Sequence, residues 1–101
     1  MEHAVTTKDG VITVSGKGNL TFEDHSSVTV LLDTLCSSNS VAIILDLQQV
    51  VAIDSAGIGL LLLMNHRLKA VGKTLTLCQP SATACQILDV AKIGELITMK
   101  A

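Results

Sequence analysis

Val41-Ala42-Ile43-Ile44-Leu45-Asp46-Leu47, then Asp54-Ser55-Ala56-Gly57-Ile58-Gly59 leading into Leu60-Leu61-Leu62-Leu63-Met64, is the stretch that decides the fold. The first run is short and almost continuously apolar, the pattern of a strand covered on both faces by helices. From Ser55 to Val71 the apolar positions Ile58, Leu61, Leu62, Met64 and Leu68 recur at helical spacing. His66, Arg67 and Lys69 lie near its end, where cations complement the helix dipole, and Gly72 terminates it. Asp54-Ser55 therefore sits at a strand-to-helix junction, with one hydroxyl where the helix begins. Unpaired backbone N–H groups and the positive end of the dipole would stabilise a phosphate attached there. The same residues also suit an ordinary cap, because Asp is a preferred N-cap and Ser is tolerated in a first turn.

On the N-terminal side, Glu2 to Thr7 alternates weakly, Lys8-Asp9-Gly10 is a turn signal, and Val11 to Ser15 is rich in β-branched residues, which predicts a hairpin. Gly16 and Gly18 predict a loop. Asp24 to Leu35 places Val28, Leu31, Leu32 and Leu35 at helical spacing, and Ser37-Ser38-Asn39-Ser40 ends that helix. On the C-terminal side, Lys73 to Gln79 alternates as a strand. Pro80-Ser81 opens a helix through Ala91 with Ala84, Ile87, Leu88 and Ala91 inward, and Glu95 to Met99 predicts a last short strand. The order ββαβαβαβ predicts an α/β fold, a mixed sheet of about five strands with helices packed on it through right-handed crossovers.

A chain of 101 residues has room for one domain, spanning 1–101. Phe22 is the sole aromatic residue, so the core is expected to consist of Leu, Ile, Val and Ala. Seven basic against nine acidic residues, with no basic cluster or aromatic platform, argue against a nucleic-acid partner. The apolar stretch Ile58 to Met64 falls far short of the ~20 residues needed to cross a bilayer, so no membrane insertion is expected. Met1 to Thr6 has neither the basic start nor the apolar run of a secretory signal, which points to a cytoplasmic protein.

Cys36, Cys78 and Cys85 lack C-x-x-C spacing and are expected as buried, reduced thiols. His3, His25 and His66 are scattered without metal-ligand spacing, so no metal is expected. Gly-x-Ser-x-Gly is absent, which argues against a hydrolase. Gly57-Ile58-Gly59 lacks the third glycine of a dinucleotide fingerprint, whose place Leu62 takes. These absences point to a non-enzymatic protein without a cofactor. The glycine pair itself costs roughly 1 kcal/mol per residue in a helix, so something requires a bare backbone there. Close packing of helix on sheet and close approach by a partner both fit.

Leu45-Asp46-Leu47, then Val50, then Ile53-Asp54-Ser55-Ala56-Gly57-Ile58-Gly59 resembles the STAS domain of bacterial anti-sigma-factor antagonists, and the expected element order agrees along almost the whole chain. In that family the serine directly after the aspartate is phosphorylated by a partner kinase that is also the anti-sigma factor, and a PP2C-type phosphatase reverses the reaction. The resemblance implies phosphorylation at Ser55, with Ala56 leaving no second hydroxyl beside it. It also implies partner switching in transcription regulation, with a contact surface made from Asp54, Ala56, Gly57, Ile58, Asn19 and Thr21. Gly18-Asn19-Leu20-Thr21 stands where the family has Gly-Glu-Leu-Asp, so two carboxylates of its partner surface are replaced. Many relatives carry a further helix after the last strand, and a domain lacking it is expected as a monomer or weak homodimer. An alternative implied by the same resemblance is a STAS subunit of a lipid-transport ATPase complex, docking by this helix end without phosphorylation and with Ser55 as a cap.

Overall fold

The computed structural model describes residues 1–100. Two strands, β1 (Glu2–Lys8) and β2 (Val11–Leu20), form the expected hairpin. They are followed by α1 (His25–Ser37), β3 (Ala42–Ile53), α2 (Ser55–Ala70), β4 (Thr74–Cys78), α3 (Ala82–Val90) and β5 (Thr98–Lys100). One five-stranded sheet has the order β1-β2-β3-β4-β5, with β1 antiparallel to β2 and every other neighbouring pair parallel. The mixed sheet and the order ββαβαβαβ are as the sequence predicts.

The strand order corrects one expectation. Each crossover from β2 to β5 steps to the adjacent strand in the same direction, and right-handed crossovers of that kind place every helix on one face. Burial agrees: Ile12, Val14, Ile43, Leu45, Leu47, Leu75 and Leu77 are buried, while Val11, Thr13, Ile44, Asp46, Thr76 and Cys78 on the other face are half-buried. The apolar run at Val41–Leu47 is thus not covered on both faces. Val28, Leu31, Leu32 and Leu35 of α1 and Leu60, Leu61, Met64 and Leu68 of α2 complete the core, with Ile93 and Ile97 closing it beyond α3. No helix is long and apolar enough to cross a membrane among the described residues.

The strands also run further than periodicity predicts. β3 continues to Ile53 because it carries an extra residue against β2 at two places, between the pairs Ser15–Asp46 and Lys17–Gln49 and between Gly18–Val50 and Asn19–Ala52. Each bulge resets the alternation, so Leu47, Val50 and Ile53, three apart, all reach the helix face. Gly16 and Gly18 lie inside β2 rather than in a loop. A Cβ on Gly16 would come within 2.6 Å of Met1 Sδ, and Gly18 takes φ +93° beside the second bulge. The last strand is displaced to Thr98–Lys100, because Ile93–Glu95 forms a 3-10 turn that buries Ile93.

At the amino ends of the parallel strands, Lys73 is buried and its Nζ donates to the carbonyls of Ser38 at 2.7 Å and Ser40 at 2.5 Å. An ammonium there satisfies carbonyls beyond the last turn of α1, which no helical amide can reach. Arg67 pairs with Asp33 on the surface at 2.7 Å, where such a pair contributes little. The three cysteines are free and half-buried rather than fully buried.

Candidate functional site

The carboxyl ends of β2 and β3 and the first turn of α2 meet in one place. Asp54 is extended and caps α2: its Oδ1 accepts from Gly57 N–H at 2.7 Å, and its carbonyl accepts from Ile58 N–H at 3.0 Å. Its own N–H donates to the Leu20 carbonyl at 3.3 Å, which ties the junction to the end of β2. Gly57 is buried, and a Cβ on it would overlap that same carbonyl oxygen. The bare backbone at Gly57 is therefore required by helix–sheet contact inside the domain. Gly59 is exposed and has open space around its Cβ position.

Ser55 is the first residue of α2 and is exposed; its hydroxyl makes no hydrogen bond among the described residues. It is not the cap, because Asp54 fills that role. The cap and the Asp54 carbonyl take the N–H groups of Gly57 and Ile58, so those of Ser55 and Ala56 lack intrahelical partners and face the positive end of the dipole.

Two recesses flank the junction. On one side, Ser55 and Ile58 face Gln86, Ile87 and Val90 of α3 across a largely apolar groove of about 390 Å³. Ser81 holds α3 in place, donating from Oγ to the Val50 carbonyl at 2.6 Å while accepting from Ala84 N–H at 3.2 Å. On the other side lies a wider recess of about 820 Å³, whose lining includes Lys17, Asn19, Thr21, Phe22, Glu23 and Asp54. Phe22 is 72% exposed at its rim and Val90 is 86% exposed at the rim of the groove.

Asp24 fixes the floor of the wider recess. Its carboxylate accepts from Thr21 N–H at 2.8 Å and pairs with the α-ammonium of Met1. Burial pushes this carboxyl up, but the ammonium and the Thr21 amide outweigh it and hold the group below the ordinary 3.8.

The structure brings Asn19, Thr21 and Asp54 onto one recess and Ser55 and Ile58 onto the other, with Ala56 half-buried behind them. Gly57 lies beneath this surface. Sequence reasoning missed Gln86, Val90, Phe22, Lys17 and Glu23; of the α3 residues it turned inward, Ala84 and Leu88 are buried, Ile87 is half-buried against the core while lining the groove, and Ala91 is exposed. An exposed Val90 directly after a helical apolar pattern, and a single aromatic at Phe22 outside any periodic run, were the available signals.

The STAS-domain family model matches residues 2–101, and the chain belongs to that family. Its fold is similar to solved structures of anti-sigma factor antagonists. One, from Mycobacterium paratuberculosis, is 15% identical with a TM-score of 0.85, covering 98% of this chain and 84% of that one. SpoIIAA in its unphosphorylated form is 20% identical with a TM-score of 0.74, covering 97% and 86%. The Bacillus cell fate determinant SpoIIAA in its phosphorylated form is 19% identical with a TM-score of 0.72, covering 99% and 92%. At these identities the likeness is one of fold. No curated protein sequence matches the chain.

Proposed function

We propose that this chain is a non-enzymatic, anti-sigma-factor antagonist-like regulator whose partner binding is switched by phosphorylation of Ser55. The division of labour at the start of α2 carries this reading: Asp54 does the capping, which leaves the Ser55 hydroxyl exposed and uncommitted. The partner is an anti-sigma factor that is also a serine kinase, and a PP2C-type phosphatase restores the hydroxyl. That a fold relative has been solved in both phosphorylated and unphosphorylated forms supports the assignment.

A phosphate on Ser55 adds roughly −1.5 to −2 charges beside the Asp54 carboxylate, at the mouth of an apolar groove. The free amides of the first turn accommodate it in the isolated domain, so the fold survives. A partner seated over the groove has to desolvate it and meets its repulsion. A loss of about 3 kcal/mol weakens binding by more than ~100-fold.

The test is incubation with a candidate kinase and ATP, phosphate mapping by mass spectrometry, and titration of the partner against wild type, Ser55→Ala and Ser55→Asp. Phosphate at Ser55, and about 100-fold weaker binding by Ser55→Asp with an unchanged melting curve, are expected. Modification elsewhere that persists in Ser55→Ala refutes the reading. Equal affinity of all three forms, with co-purification of a lipid-transport ATPase, establishes the alternative of a constitutive STAS subunit.

A further inference from the structure

The two edges of the sheet differ. β5 is three residues long, whereas β1 presents seven, all exposed and paired on one side only, to β2. A long free edge invites another strand, and proteins guard such edges with proline, bulges or charges along the strand. β1 has an unbroken register with β2 and no proline, and its centre, His3-Ala4-Val5-Thr6-Thr7, carries no Asp, Glu, Lys or Arg. Its charges stand at the two ends, as Glu2 and Lys8, and neither is in an ion pair among the described residues.

The hydrogen-bond phase of this edge follows from the hairpin. Asp9 and Gly10 have φ of 53° and 78°, a two-residue turn of type I′, which makes Lys8–Val11 a hydrogen-bonded closing pair. Alternation then directs the main-chain groups of Lys8, Thr6, Ala4 and Glu2 to β2 and those of His3, Val5 and Thr7 outward. An antiparallel pairing about a two-fold axis at Val5 uses those outward groups: Val5 meets the partner's Val5, and His3 meets the partner's Thr7. The same register sets Glu2 opposite the partner's Lys8, and symmetry repeats the pair. Both ion pairs fall at non-hydrogen-bonded positions, where cross-strand side chains come closest. Sliding the register by two residues sets Glu2 opposite the partner's Thr6, or Lys8 opposite the partner's Ala4, and the charge match is lost. On the helix side, Val5 (46% exposed) and Val30 (66% exposed) flank a groove of about 590 Å³ between β1 and α1, beside the free edge.

We propose that β1 is a self-complementary edge through which two copies of this chain join their sheets, with Val5 on the two-fold axis and Glu2–Lys8 pairs fixing the register. The inference is independent of the Ser55 reading. Because the joined strands run antiparallel, the two Ser55 residues lie at opposite ends of the combined sheet, although Glu2 also lines the wider recess beside Asp54.

Sedimentation equilibrium between about 1 µM and 1 mM tests it, with circular dichroism melts confirming that each variant is folded. A concentration-dependent dimer is expected. Glu2→Lys or Lys8→Glu alone raises its dissociation constant about tenfold, because each sets like charges opposite one another twice. The double variant Glu2→Lys with Lys8→Glu returns to the wild-type value, and Val5→Lys abolishes the dimer. A chain that stays monomeric throughout, a dimer indifferent to these changes, or single reversals that the double variant does not rescue overturns the proposal.

Discussion

The two ends of the parallel strands are built to opposite specifications. At the amino ends, Lys73 reaches into the protein and ties the Ser38 and Ser40 carbonyls, so the polar groups there are consumed by the fold. At the carboxyl ends, one aspartate caps the start of α2, and Ser55, Phe22 and Val90 remain exposed around two recesses. The fold does not use these side chains, which leaves them available to a partner. The difference teaches where substitution should cost stability and where it should cost only binding.

The most severe disruption is expected where the carboxyl-end site rests on the core. Gly57→Ala drives a methyl into the Leu20 carbonyl, which neither strand nor helix can move cheaply, and should cost about 3 kcal/mol in a urea melt. Gly59→Ala, in open space two residues on, should instead gain several tenths of a kcal/mol, up to ~1. Equal effects at the two positions would break the assignment of Gly57 to internal packing.

Lys73→Met sharpens the comparison from the other end. It leaves two carbonyls without their donor, at about 2 kcal/mol, while partner affinity measured on the folded protein stays unchanged. Asp54→Ala should cost about 1 kcal/mol through the lost cap, and Asp54→Asn should recover most of it in thermal denaturation, because the amide oxygen still accepts from Gly57. A substitution to Asn that failed to recover would mean the charge, rather than the cap, matters there.

The smallest effect expected is one of pH. Asp24 has a folded value below its ordinary 3.8, so its contribution is present in full above 3.8 and disappears as pH falls through the folded value. On the acid side, the stability gap between wild type and Asp24→Asn should therefore shrink below about pH 4, and a gap that closed between pH 5 and 7 would point to another group.

Much of this was legible in the residues. The periodicity of Val28, Leu31, Leu32 and Leu35, the Asp9-Gly10 turn and the Asp54-Ser55 junction each predicted an element that exists, because local spacing decides which face of a helix or strand is apolar. What could not be read was phase and partnership. β3 looked as though it ended at Leu47, because the bulges that bring Val50 and Ile53 to the helix face exist only relative to β2. Ile87 points inward on spacing alone; it packs half-buried against the core and also lines the groove, since α3 packs on β3 at a place set by Ser81 holding Val50.

By itself, then, the sequence determined the order of elements, the apolar faces, and a serine next to a capping aspartate at a helix start; these depend on neighbours a few residues away. Tertiary structure alone decided that all helices share one face, that Gly57 packs against the Leu20 carbonyl, and that α3 and the β2 end flank Ser55. Those outcomes rest on contacts between residues far apart in the chain, such as Gly57 with Leu20 and Ser81 with Val50, whose geometry no local pattern encodes.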